Sequence, residues 1–221
     1  MVCSLIFLPV SCLPSNYGSA PALGRQIESE KSGSKPVPLL MEHNYRLYLA
    51  ASVITSFAGG IFGPFYILFV RQKGGGIENF GVAMGLLLLF QSLMSYFAGR
   101  YSDKFGRKPL FLLEGYLSGF VVLFYLFVGQ IWQLYALQII NGLLAGIHGT
   151  AEVSFLGDIT KFGSRGERVG KFHATTGVVA ALAMMASGYL VATMGLRVIF
   201  ILMAIASFIS TTVLLFVKEK N

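Results

Sequence analysis

The sequence predicts an all-α membrane protein with six transmembrane helices, on three observations. It is 55% hydrophobic and 12% charged, where a soluble domain carries about 25% charged residues, and so apolar a chain has too little polar surface to cover itself in water. The apolar residues gather in six runs, each near the ~20 residues a helix needs to cross a ~30 Å hydrocarbon core. Lysine and arginine fall between the runs and favour alternate gaps. With the net charge at +7, that distribution is a topology signal rather than a nucleic-acid footprint, and no nucleic-acid partner is expected.

Residues 1–40 stand apart. They are rich in Pro, Ser and Gly, carry scattered charges (Arg25, Glu28, Glu30, Lys31, Lys35) and hold both cysteines, Cys3 and Cys12. Residues 2–13 are apolar but lack a preceding base, are interrupted by Pro9 and end in no clean small-residue cleavage site. The segment reads as a flexible tail or a start assigned upstream of Met41, with a targeting role as the alternative. Two cysteines so placed form no disulfide framework and no zinc spacing.

Residues 41–221 form the membrane unit, with spans at about 47–70, 80–98, 109–128, 131–157, 174–195 and 198–217. The third carries Glu114, the fourth His148 and Glu152, and the other four carry no charge. The runs are continuous rather than alternating, which selects helices over barrel strands. With the N-terminus inside, only Arg71, Lys73 and Arg197 of the 17 Lys and Arg lie in outer gaps, so both termini are expected in the cytoplasm. Trp132 and Tyr135 then reach the outer boundary, and Tyr45 and Tyr48 the inner one. Gly59/Gly63, Gly81/Gly85, Gly115/Gly119 and Gly142/Gly146 each place two small residues one turn apart, the pattern of close helix packing. Pro64 predicts a kink near the outer end of the first span.

The gap after the second span reads Gly99-Arg100-Tyr101-Ser102-Asp103-Lys104-Phe105-Gly106-Arg107-Lys108. Gly99 permits close approach of another helix, Asp103 suits a helix cap or a cation, and Gly106 permits a sharp turn. This stretch resembles motif A of the major facilitator superfamily: Gly, three residues, Asp, a base, any residue, Gly, then two bases, on the cytoplasmic side between the second and third helices. The second basic gap, Gly157-Asp158-Ile159-Thr160 followed by Arg165-Gly166-Glu167-Arg168-Val169-Gly170, is similar to the family's stretch between helices four and five. The resemblance covers residues 41–221 and matches the N-terminal half of a twelve-helix transporter. It implies two three-helix inverted repeats and a second six-helix half as partner, either a missing C-terminal half or a second copy. It also implies a plasma (inner) membrane location and alternating-access transport of a small solute, with ion (proton) coupling expected. Gly99, Asp103, Lys104, Gly106, Arg107 and Lys108 would form the cytoplasmic latch, with Asp158 as the acid that pairs with Arg107. Many members carry an arginine early in the fourth helix. Here Gln138 stands ahead of Asn141-Gly142 and Gly146, so arginine-linked coupling does not carry over. The alternative is a stand-alone or truncated six-helix protein that acts as a homodimer or an interaction partner.

An ionisable side chain within a membrane helix costs ~2.5–3.5 kcal/mol on insertion scales and so turns to the bundle interior. His148 and Glu152, four apart, share a face. Two readings stay open: a proton or cation site lining a cavity, or a structural hydrogen-bonded pair. Gln138, Asn141 and Gln91 are further solute candidates, with interhelical hydrogen bonding as the alternative. Glu114 is expected to pair with the motif loop. Two ligands on one helix without a third make no metal site. No phosphate loop, nucleophile elbow or dinucleotide fingerprint is present, so neither an enzyme nor a cofactor is expected.

Overall fold

The computed structural model describes residues 39–105, 107–159 and 165–217. The N-terminal tail up to residue 38, Gly106 and the terminal Lys218-Glu219-Lys220-Asn221 lie outside the described residues. All regular structure among the described residues is helical: α1 (Leu39–Phe62), a 3-10 turn (Gly63–Phe65), α2 (Tyr66–Gln72), α3 (Ile77–Phe105), α4 (Arg107–Phe124), a second 3-10 turn (Tyr125–Phe127), α5 (Ile131–Ile159) and α6 (Arg165–Leu215). Pro64 falls at the start of the first 3-10 turn, where the α-helical ladder of the first span is broken before α2 resumes it.

Among the described residues, five helices are long and apolar enough to cross a membrane: Glu42–Phe62, Ile77–Arg100, Lys108–Phe127, Ile131–Gly157 and Arg165–Leu215. Sequence reading expected two spans, 174–195 and 198–217, where α6 is a single element of 51 residues. Straight, it would be roughly 77 Å long, far beyond a ~30 Å core. It is not straight. Gly195 has φ 74° and ψ 168°, a conformation within α6 that is essentially glycine's alone. The chain doubles back there, so that Phe172 from one arm and Val217 just past the other join the same buried cluster as Tyr48 and Phe155.

Helices in lipid gain little from apolar burial against one another, and close packing with interhelical hydrogen bonds holds them instead. Glycines make the closest approaches. A Cβ at Gly142 would collide with the Leu87 carbonyl of α3, and one at Gly146 would lie 2.6 Å from the Gln91 carbonyl oxygen. Gly115 of α4 meets the Thr211 side chain of α6, and a Cβ at Gly119 would lie 2.9 Å from the Phe208 ring. Gly60 of α1 lies against the Ala180 backbone of α6. Hydrogen bonds run beside these contacts. Ser210 Oγ donates to the Ala51 carbonyl at 2.9 Å and lies 2.8 Å from Thr55 Oγ1. Thr150 Oγ1 donates to the Ser95 carbonyl at 3.4 Å. The pair Gly81/Gly85 differs: nothing lies within 4 Å of a Cβ at either position. It sits on α3, whose apolar residues Val82, Leu89, Leu93 and Tyr96 are exposed, as are Val178, Leu182, Met185 and Tyr189 along one stripe of α6.

These contacts set the two kinds of glycine apart. Gly142→Ala forces α3 and α5 to separate and should cost about 1–3 kcal/mol. Gly85→Ala meets open space and should be neutral or stabilising by about 0.5–1 kcal/mol. Thermal unfolding of both variants in one detergent checks the difference, and equal melting temperatures would contradict it.

Candidate functional site

The ionisable residues of α4 and α5 come together inside the bundle. Glu114, 7% exposed, places Oε2 3.0 Å from His148 Nδ1. The other ring nitrogen, Nε2, lies 3.6 Å from Glu152 Oε2, beyond hydrogen-bond length. One imidazole therefore stands between two carboxylates, tightly bonded to one and loosely facing the other. Glu114 was expected to pair with the motif loop, whose side chains from Tyr101 to Arg107 lie outside the described residues; among the described residues it meets His148 across the helix interface. The Phe111 ring stands edge-on to the imidazole at 5.7 Å, and the Tyr48 hydroxyl of α1 is buried, with no hydrogen bond of normal geometry among the described residues although Ser52 lies near it. A cleft beside the cluster, of about 300 Å³ counting its mouth, is lined by Glu114, His148, Ser118, Thr55, Ser207 and Ser210 among others. Among the described residues no lysine or arginine lines it.

A second, larger cleft, of about 490 Å³ counting its mouth, holds the other α5 candidates. Its walls are the rings of Phe62, Tyr66, Tyr125 and Phe200, with Met84 and Met203. Its polar edge is Ser118, Gln138 and Asn141. Asn141 Nδ2 donates to Tyr125 Oη at 2.7 Å, and that hydroxyl donates to Gln138 Oε1 at 3.2 Å. Tyr66 is 2% exposed, and its hydroxyl has no hydrogen bond of normal geometry, although Gln138 lies near it. Ser118 lines both clefts and marks where they adjoin. Gln91 is not brought to either lining. Its backbone packs on Gly142 and Gly146, and its amide oxygen is buried without a hydrogen-bond partner among the described residues. Tyr66, Tyr125 and Ser118 were not singled out by sequence reading. A tyrosine or serine in an apolar run carries no charge to mark it, and the only signal was its polar atom at membrane depth.

The motif loop is described in part. Gly99, Asp103 and Lys104 fall in the last turns of α3, Arg107 opens α4 and Asp158 lies in the last turn of α5. The side chains of Asp103, Lys104, Arg107 and Asp158 lie outside the described residues, and so does their expected pairing. Lys108 is placed. Its ammonium donates to the carbonyls of Leu215 at 2.8 Å and Val217 at 2.7 Å, tying the start of α4 to the end of α6. A cation there meets the negative end of a helix whose last carbonyls have no partner in the ladder. At the same end of the bundle Arg168 reaches Glu42 at 3.1 Å, and Tyr45 Oη donates to the Arg168 carbonyl at 3.1 Å, joining α1 to α6.

Residues 48–221 match the Major Facilitator Superfamily. An uncharacterized MFS-type transporter, YitZ, of Bacillus subtilis (strain 168) is 31% identical over 154 residues, 70% of this chain and 94% of that protein. The multidrug resistance protein MdtG of Dickeya zeae (strain Ech586) is 30% identical over 191 residues, 83% of this chain and 46% of that protein. The multi-drug resistance efflux pump PmrA of Streptococcus pneumoniae serotype 4 is 27% identical over 183 residues, 80% of this chain and 45% of that protein. This chain thus spans about half the length of MdtG and PmrA, and nearly the whole of YitZ. With its apolar helices packed through glycine and its motif loop at the α3–α4 corner, the chain is an integral membrane protein that belongs to the major facilitator superfamily of transporters.

Proposed function

We propose that this chain is one six-helix half of a proton-coupled secondary transporter that moves a small solute by alternating access, with both termini in the cytoplasm and the plasma (inner) membrane as its site. The six crossings are α1 with α2, α3, α4, α5 and the two arms of α6 about Gly195, arranged as two three-helix inverted repeats. The observation that carries the reading is His148 held between Glu114 and Glu152 within the apolar bundle. Ionisable groups at that depth are expensive, and they mark proton and ion paths in membrane proteins.

The unequal distances divide the roles. Glu114 fixes the ring through a full hydrogen bond. Glu152, 3.6 Å from the ring and beyond hydrogen-bond length, is the more loosely held carboxylate and is assigned the coupling role. Tyr48 is the remaining titratable side chain against the cluster among the described residues, and α6 presents Ser207, Ser210 and Thr211 there. The larger cleft one serine away would hold the solute, with Gln138 and Asn141 at its polar edge. Gly99, Asp103, Lys104, Gly106, Arg107 and Lys108, with Asp158, would latch this half to a second six-helix half. The exposed stripes of α3 and α6 supply apolar surface for that half to cover. Multidrug resistance, for which two relatives are named, is one form of such transport.

Uptake of ethidium, tetracycline and glucose into vesicles carrying the protein, with and without an imposed pH gradient, tests the reading. At least one solute should accumulate only under the gradient, and Glu152→Gln should abolish that gradient-driven part while leaving the protein in the membrane. Gradient-driven uptake unchanged in Glu152→Gln would remove proton coupling from the account. Uptake of none of the three would count against transport itself.

A further inference from the structure

We propose that the smaller cleft, where α1, α4, α5 and α6 meet, is a binding site for one alkali cation, held by the Glu114 carboxylate and the hydroxyls of Thr55, Ser118, Ser207, Ser210 and Thr211. The inference goes beyond the transport reading, since it requires neither a proton nor a solute to move.

Size comes first. Beneath its mouth the cleft has room of about 20 Å³, which admits a guest the size of a water molecule and nothing much larger. An organic solute is excluded, and so is a cation that keeps its hydration shell. An ion that enters must exchange its waters for oxygens of the wall, as ions do where protein oxygens replace the hydration shell.

The wall supplies such oxygens from three helices. Thr55 comes from α1, Glu114 and Ser118 from α4, and Ser207, Ser210 and Thr211 from α6. A hydroxyl carries one proton and two lone pairs. Ser210 Oγ donates to the Ala51 carbonyl at 2.9 Å, and Thr211 Oγ1 to the Ser207 carbonyl at 2.8 Å. Thr55 Oγ1 lies 2.8 Å from Ser210 Oγ and 3.1 Å from that same Ala51 carbonyl. With their protons engaged by carbonyls, these hydroxyls keep lone pairs for a cation. Among the described residues no group of His, Cys, Asp and Glu could hold a metal ion by those side chains. Hydroxyl and carboxylate oxygens suit a hard cation instead.

Charge sets the valence. Glu114 is buried, and its Oε2 is engaged by His148 Nδ1 at 3.0 Å. Its other oxygen enters no hydrogen bond among the described residues. Glu152 stands on the far side of the ring, so two ionised carboxylates leave the cluster net negative even with the imidazole protonated. Uncompensated charge at membrane depth is costly, and one positive charge balances it. A divalent ion asks for more. Among the described residues Glu114 is the sole carboxylate of the lining, Mg²⁺ keeps several waters for which there is no room, and Ca²⁺ takes roughly six to eight oxygens, commonly from several carboxylates.

Equilibrium binding to the purified chain in lipid nanodiscs, in choline chloride buffer, tests this with radioactive sodium and rubidium ions, the second standing in for potassium. At least one should bind saturably at one ion per chain, without displacement by equimolar calcium, and the tighter of the two identifies the ion. Ser210→Ala removes one oxygen and should weaken binding at least about tenfold, the loss of one contact to a charged group. Ser92→Ala, on the exposed face of α3, should bind as the unsubstituted chain does. Should Ser210→Ala lose its helical circular dichroism, Glu114→Gln keeps the shape, removes the charge and should abolish binding. No saturable binding of either alkali ion would leave the cleft to a water molecule and overturn the proposal. Displacement by equimolar calcium, or an affinity unchanged in either cleft variant, would overturn it as well. Cation binding without any gradient-driven uptake would leave this site standing and sink the transport reading, whereas uptake without cation binding would do the reverse.

Discussion

The close approach of α5 to α3 at Gly142 and Gly146 is the contact on which the rest of the interior depends. With Leu87 and Gln91 of α3 pressed against those two glycines, α5 has one rotation about its own axis. Successive residues of a helix advance by about 100°, so Asn141, His148 and Glu152 then share a face roughly a third of a turn from the glycine seam. That face meets α4. Asn141 reaches Tyr125, and His148 reaches Glu114. A side chain in place of either glycine would push α5 outward and turn both polar contacts away from their partners. In lipid, where no water would replace them, those contacts would remain broken.

The interior that results is divided in two. One cleft is ionisable, built from acids and an imidazole with hydroxyls around them, and the other is aromatic and uncharged. They meet at Ser118. Both are walled by α6 as well, through Phe200 and Met203 in one and Ser207 and Ser210 in the other. The second arm of α6 reaches them because Gly195 turns the chain back, and because Lys108 and Val217 fasten its end to the start of α4. The fold thus places an ionisable cleft and an apolar, aromatic one side by side, with shared walls.

Much of this was legible in the sequence because lipid makes the code simple. Apolar runs of helix-crossing length marked α1, α3, α4 and α5, and the glycine pairs at 115/119 and 142/146 are indeed seams. The pair 81/85 has the same spacing and no neighbour, because spacing tells that a small residue is available, not which face a partner covers. The spans read at 174–195 and 198–217 fall on the two arms of α6 either side of Gly195, although a lone glycine between apolar runs does not reveal its φ. The pairing of His148 with Glu152 on one helix was visible from their spacing, and it turned out the weaker of the two contacts. The stronger one, to Glu114, joins residues 34 apart in sequence, and only the rotation of α5 against α4 decides it. The aromatic cleft was missed for a related reason. Its rings come from three different stretches of chain, and each alone reads as ordinary apolar packing.

A double-mutant cycle between Glu114 and His148 tests most directly the claim that these helices are held in this register by an ionisable contact. Glu114→Gln, His148→Asn and the double variant would be melted in the same detergent. The account predicts a coupling of about 1–3 kcal/mol, because removing either partner strands the other at membrane depth. Single-variant effects that add to within about 0.5 kcal/mol would contradict it, for the two residues would then act independently.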